Sequence, residues 1–330
     1  MPSVPFDPNI QSEKIAFDAD QMIGCKGCGR MNPPNRFKCL YCAHELEVQI
    51  DAGSLKPVLR KLELWERGFN VVVKEKGSGA DIEKIAVLLS MEPAAVEDIL
   101  SMGVPLPLAR VDSEKEALFL KTSLEPLGLA CRIVSDADLV SDTLPVRLRG
   151  LALSDGLITV TEFNTGNERT HDFADLVLVI TGSLTQGRVD SLEKRKRGGP
   201  GKVLHETATT SDEAVLDIYT RGDRIGYRIN QAGFDFSCLG PDKGLLAGEN
   251  MRQLAVRLKQ AAPALKLVDD YPRVCHALAG IWDVEFKNDS QGLKRSGIAR
   301  FGLGRVESTN NLDQFTKYSR LQQHLYEAEK

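Results

Sequence analysis

The stretch Cys25-Lys26-Gly27-Cys28-Gly29-Arg30-Met31-Asn32-Pro33-Pro34-Asn35-Arg36-Phe37-Lys38-Cys39-Leu40-Tyr41-Cys42 decides how the N-terminal part of this chain folds. It carries two C-x-x-C pairs separated by the ten residues from Gly29 to Lys38. Zinc takes four ligands tetrahedrally and favours thiolate sulfur, and a two-residue gap lets one tight turn present both sulfurs of a pair. Gly29 suits the left-handed backbone of such a knuckle. Asn32-Pro33-Pro34-Asn35 is a turn signal that does not continue a helix. The expectation is one zinc ion held by Cys25, Cys28, Cys39 and Cys42. Its rival is a set of unrelated buried thiols or a pair of disulfides.

The run resembles the small zinc ribbons of bacterial multidomain proteins, with pattern C-x-x-C-G, a Pro/Asn-rich turn, then C-x-x-C-G. The second knuckle departs from it, since Ala43 stands where the ribbons carry glycine. His44 is a competing ligand by chemistry, and a bystander if the four cysteines fill the site. Four thiolates leave no open coordination position, so such a site supports folding and not catalysis.

Outward from the ribbon, the 330 residues allow two or three domains, and 42% apolar residues can build real cores. The formal net charge of -4 excludes a global basic field of the kind a dedicated nucleic-acid binder carries. Cys131, Cys238 and Cys275 each sit in apolar stretches and read as small core residues. Seven cysteines, four of them in a metal pattern, point to a reducing compartment. Residues 1–20 lack the apolar core of a signal peptide and read as disordered. No run of about 18 apolar residues exists to span a membrane. These readings together predict a cytoplasmic protein.

The ribbon is expected over 21–50, followed by an amphipathic helix over 55–67 with Leu59, Leu62 and Trp65 on one face. A second unit, over 54–140, has legible punctuation. Phe69-Asn70-Val71-Val72-Val73 is a β-branched strand. Ser78 with Asp81 opens a helix bearing Ile82, Ile85, Leu88 and Leu89. Pro93 opens a second helix with Val96, Ile99 and Leu100 inward. A strand over 106–111 tolerates Pro107 at an edge. Ser113 with Glu116 caps a third helix that closes near Gly128, before a last strand over 129–134. This order, with Met91-Glu92-Pro93-Ala94-Ala95-Val96, Ser113-Glu114-Lys115-Glu116-Ala117 and Leu127-Gly128-Leu129, makes residues 68–135 resemble the C-terminal domain of the bacterial ribosomal stalk protein. The resemblance implies an α/β fold and an adaptor role. It does not carry over GTPase binding, because Glu97-Asp98 is acidic where the stalk surface is basic.

From about Pro145 the period changes to two. Strands over 146–153 and 157–163 flank Asp155-Gly156, a hairpin signal. Further strands are expected over 176–184, 202–208, 214–220, 225–229 and 234–238, with Thr209-Thr210-Ser211-Asp212 as one of the turns. Asn250 then caps a helix carrying Leu254, Leu258 and Ala262. Seven strands and one helix resemble a pleckstrin-homology-type domain over 145–267, within a unit bounded at 145–282. A seven-stranded sandwich is the alternative. Residues 283–330 read as a flexible tail ending in a helix with Leu312, Phe315, Leu321 and Leu325, either packed or detachable. The fold class is therefore multidomain α+β: zinc ribbon, strand-helix-helix-strand-helix-strand unit, and a seven-stranded β domain with a C-terminal helix.

Catalytic patterns are missing. His44, His171, His205, His276 and His324 sit in no nucleophile elbow, zinc-protease helix or deaminase signature. Gly77-Ser78-Gly79 lacks the lysine and third glycine of a phosphate cradle. The Ser154-Asp155-Gly156 loop is too short and acidic for a phosphoinositide. The reading is a non-enzymatic zinc-binding adaptor acting on a protein partner that the residues do not name. The alternative is a nucleic-acid or ribosome-associated protein using Lys26, Arg30, Arg36 and Lys38 together with the basic run over 194–202. A hydrolase or transferase assembled from distant residues is the third.

Overall fold

A computed structural model describes residues 17–47, 59–76, 79–140, 142–194, 202–297 and 300–330. Most of the expected disordered start, and 195–201 of the basic run, lie outside these residues.

The ribbon hairpin pairs β1 (Ile23–Gly24) with β2 (Met31–Asn32). The chain then crosses residues 59–67 without a helix, and Trp65 is 81% exposed. The expected helix is lost there because Arg110 takes the carbonyls of Glu63 and Glu66, and Arg60 ties down the Glu66 carboxylate. Residues 55–58 of that expected helix lie outside the described residues.

The second unit keeps its expected order: β3 (Phe69–Lys76), α1 (Ile82–Leu89), α2 (Pro93–Ser101), β4 (Leu106–Val111), α3 (Glu114–Leu124) and β5 (Leu129–Ser135). The sheet order is β4-β3-β5, so Pro107 does lie on an edge strand, the place in a sheet that tolerates proline. Asp81 caps α1 by accepting the Lys84 N–H, and Ser78, its expected companion, lies outside the described residues. Ser113 accepts the Glu116 N–H while the Glu116 carboxylate reaches back to the Asp112 N–H, a variant of the capping box. A short helix α4 (Asp136–Leu139) ends the unit.

The third region departs from a seven-stranded module. Strands β6 (Val146–Ser154), β7 (Leu157–Glu162), β8 (Glu168–Asp172), β9 (Leu176–Lys194), β10 (Lys202–Thr220) and β11 (Tyr227–Asn230) precede α5 (Ala247–Ala261). Strand β8 went unanticipated because Glu168-Arg169-Thr170-His171-Asp172 is a polar edge with no alternation. The expected turn at Thr209-Thr210-Ser211-Asp212 is strand, paired residue by residue with Arg188 to Thr185, as threonine's β-branched side chain favours. The expected strand over 234–238 is instead a single bridge at Asp235 and a 3-10 helix, Phe236–Asp242, whose start Asp235 caps through Ser237. Asn250 lies inside α5, where it bonds both backbone groups of Gly244.

Among the described residues, the span expected as a flexible tail holds two strands as well as the expected helix. After β12 (Lys266–Val268) and α6 (Tyr271–Leu278), the chain forms β13 (Glu285–Gly297), β14 (Arg300–Asn310) and α7 (Leu312–Ala328). All strands from β6 onward join one curled, nine-stranded sheet in the order β13-β14-β9-β10-β11-β6-β7-β8, with β12 beside β9. In β10, Leu216 and Ile218 pack with the α5 side, whereas Val215 and Tyr219 join the core containing α6 and α7. Burial on both faces erases the polar face that period-two reading relies on. Helix α7 lies so close to β9 that a side chain at Gly182 would collide with Phe315. The α6/α7 core is continuous with that of the second unit. A buried polar chain also crosses between them: Asp136 accepts from Arg110 and Asn70, Trp282 donates to Asn70, Gln314 donates to the Trp282 carbonyl, and Tyr271 donates to Gln314.

Candidate metal centre

The two C-x-x-C pairs fold into near-copies of one another. In the first, the Cys25 N–H donates to the Arg30 carbonyl at 2.9 Å and the Gly29 N–H donates to the Cys25 carbonyl at 2.8 Å. In the second, the Cys39 N–H donates to the His44 carbonyl at 2.9 Å and the Ala43 N–H to the Cys39 carbonyl at 3.0 Å. Gly29 and Ala43 occupy equivalent left-handed positions, φ 71° and 56°. That geometry explains the glycine of the pattern, and makes Ala43 its strained substitute.

The four sulfurs all lie within 4.8 Å of one another, and the closest approaches are 3.6 Å for both Cys25–Cys42 and Cys28–Cys39. Four sulfurs at about 2.3 Å from a zinc ion in a tetrahedron would sit about 3.8 Å apart, so the set is spaced for one such ion. Among the described residues this is the group able to hold a metal. His44 is not in it: its ring packs over Gly27, and its carbonyl serves the second knuckle. None of the seven cysteines is in a disulfide.

Electrostatics favours thiolate at Cys39. Burial opposes its ionisation, but N–H donors from Tyr41, Cys42 and Asn32 outweigh it, and the thiol falls to about 6. Cys42 moves the other way, to about 12: the His44 N–H favours its thiolate, but burial and the neighbouring sulfurs prevail. Four thiols crowded together cannot all ionise without a cation, and a divalent ion removes that repulsion.

Asn32, which the sequence marks as a turn residue and nothing more, is the link between the knuckles. It is fully buried; its amide donates to the Arg30 carbonyl at 2.9 Å and to the Cys39 sulfur at 3.4 Å, while its oxygen accepts the Leu40 N–H at 2.9 Å. A lone asparagine between cysteine pairs offers no periodic signal, so only its partners reveal the role. The ribbon's other face docks on the second unit through Phe37 against Phe119 at 5.6 Å, Lys38 to Asp112 at 2.6 Å and Glu45 to Lys115 at 2.6 Å.

The ribbon's candidate phosphate-binding charges are partly committed elsewhere. Lys38 is held by Asp112, Lys26 faces Glu47 at 2.6 Å, and Arg30 stacks over Tyr41 at 4.5 Å. The histidines stay dispersed: His171 bonds the Tyr227 hydroxyl, His276 faces Asp98, His205 is exposed on the outer part of β10, and His324 on α7 is pushed below its ordinary value by burial. Burial raises the Cys131 thiol to about 11, the mark of a core residue and not of a nucleophile. No family model, no curated protein and no solved structure matches this chain.

Proposed function

We propose that this protein is a zinc-stapled, non-enzymatic adaptor of a reducing compartment, and that the ribbon is one of its protein-binding surfaces. The observation that carries the reading is the two-sidedness of the ribbon. Its four sulfurs are spaced to close around one ion, its Phe37 face is docked, and its β2 strand and second knuckle present Met31, Leu40 and Tyr41 at 47%, 52% and 56% exposure. Apolar residues on a rigid knuckle are suited to bind, since little side-chain freedom is lost on contact. A closed thiolate site has no coordination position for substrate, which supports the non-catalytic reading. The element order of β3 to β5, which resembles that of stalk-type C-terminal domains, is the support for a recognition role of the second unit as well.

Metal analysis of the purified chain is expected to give one zinc per molecule, lost in Cys25→Ser, Cys39→Ser. Capture from the source cell then compares the wild type with Leu40→Ser, Tyr41→Ser at equal zinc content. A protein retained by the first and lost by the second supports the adaptor reading; identical capture by both overturns it.

A further inference from the structure

Helix α5 and the sheet beneath it do not close completely over one another. In β9 and β10, Thr181 lies opposite Leu216 and Ser183 opposite Ala214, and residues directly opposite share a face. That face meets α5, since Leu216 packs in the same core as Met251 and Ala255. The helix turns Met251, Arg252, Ala255 and Val256 toward the gap, one stripe at helical spacing. Thr181, Ala214 and Ala255 are small, and a cavity of about 400 Å³ stays open between them, walled on its third side by Leu267, Asp269 and Pro272. Most of its lining is apolar. Three polar groups stand in it unengaged: among the described residues, the side chains of Thr181, Arg252 and Asp269 have no ion pair and no hydrogen bond. Charges close by are committed, Arg257 to Asp242 at 3.7 Å and Arg273 to Asp270 at 2.6 Å. An apolar cavity with a few convergent polar groups is the form that small-molecule sites take.

We propose that this cavity binds a free α-amino acid with an apolar side chain. Arg252 takes its carboxylate, Asp269 its ammonium group, and the side chain fills the space beside Leu216, Met251 and Ala255. The charges of the rim decide between amphiphiles of similar size. A simple carboxylic acid would meet Arg252 but also bring its negative charge to Asp269; a simple amine would bring its positive charge to Arg252. A zwitterion satisfies both, and like-charge opposition rejects the other two. The cavity also lies at the seam of two cores. Val215 belongs to the core around α6 and α7, and Leu216 to the core under α5. A bound amino acid therefore fastens α5 to the start of α6. The site is separate from the ribbon and independent of the zinc and adaptor readings.

The test is isothermal titration of the full chain with glycine, L-alanine, L-valine and L-leucine. Affinity is expected to rise along the series by about 4-fold for each methylene buried. Isocaproate, which is leucine without its amine, and isoamylamine, which is leucine without its carboxylate, are each expected to bind about 10-fold more weakly than leucine. That factor is the lower end for a charge-assisted hydrogen bond, as suits a rim open to water. Arg252→Gln should cost leucine about 10-fold while isoamylamine binds no worse, and Asp269→Asn should cost leucine as much while isocaproate binds no worse. Both positions are exposed, so neither variant puts folding at risk. Ala255→Leu should fill the cavity and abolish binding, with the thermal transition kept. Hydrogen exchange should slow in α5 and α6 on adding leucine and stay unchanged in the ribbon. Absence of leucine binding at millimolar concentration overturns the proposal. So does leucine binding that Arg252→Gln and Asp269→Asn leave intact. Isocaproate bound as tightly as leucine also overturns it, and would reassign the cavity to carboxylic acids.

Discussion

The ribbon and helix α7 are both small and both buried against larger neighbours, yet they are specified in opposite ways. In the ribbon, the chemistry is local: four cysteines within eighteen residues, two knuckles and one asparagine form a centre with Cys25, Cys39 and Leu46 as its small core. In α7, every residue from Gln314 to Leu321 is buried, and Gln314, Thr316, Ser319 and Arg320 find partners far away in the chain. Ser319 donates to Asp217 at 2.6 Å, Arg228 donates to Thr316 at 3.0 Å, and Arg320 donates to the Thr143 carbonyl at 3.1 Å. A region whose contacts are local can be read from its spacing; a region whose contacts are distant cannot.

Removing the metal gives the largest expected contrast. A unit with so small a core would depend on an ion held by the four sulfurs, and structural zinc contributes on the order of 10 kcal/mol or more to such units. A chelator, or Cys25→Ser with Cys39→Ser, should unfold residues 23–46 and free Phe37 from Phe119 while α7 stays protected. Hydrogen exchange reads both at once. Protection lost in α7 as well would show that the two regions are coupled and not merely adjacent.

The same contrast explains what was legible. Turn and cap chemistry in β3 to β5 lies within a few residues, so Pro93, Ser113 and Gly128 mark real helix ends. Asp155-Gly156 likewise makes the expected hairpin, both residues with positive φ. Strands β13 and β14 give no strand signal because Asn288, Asp289, Ser290 and Gly292 look like a loop until β14, itself paired to β9, supplies the ladder. Helix α7 shows an apolar stripe of Phe315, Leu321 and Leu325 that suggests surface packing; its polar face is buried only because Asp217, Arg228 and Tyr219 await it.

Asp217→Ala attacks that distant matching. Arg228 holds Asp217 through two bonds of 2.7 Å, both side chains buried, and Arg228 also stacks on Phe315 at 5.0 Å. Truncating the acid leaves a buried guanidinium uncompensated and should cost about 3–5 kcal/mol. Urea unfolding checks this, and Asp217→Ala with Arg228→Met should recover most of it. A loss below about 1 kcal/mol would mean that water or Ser319 already satisfies the arginine.

Asn32→Ala asks whether the ribbon is as local as it looks. It removes two donors and one acceptor that join the knuckles, one of them to a ligand sulfur. Partners of this kind are worth about 10–100-fold in metal affinity. Competition with a chromogenic chelator measures it. Unchanged affinity would assign the fold to the sulfurs alone.

The smallest effect is the sharpest comparison, because it sets one knuckle against the other. Gly29 and Ala43 share a left-handed backbone, and a side chain at Gly29 would meet nothing within 4 Å, so Gly29→Ala tests conformation without collision. The left-handed region costs a residue with a Cβ roughly 1 kcal/mol more than glycine. Ala43→Gly should therefore stabilise the zinc-bound ribbon by about 1 kcal/mol, less the chain entropy that glycine loses on folding, and Gly29→Ala should weaken it comparably. The double exchange should come out near neutral in thermal unfolding at saturating zinc. If each single change is silent, the metal dictates the knuckle geometry outright, and the backbone preference that makes the pattern legible in sequence is not what holds the site together.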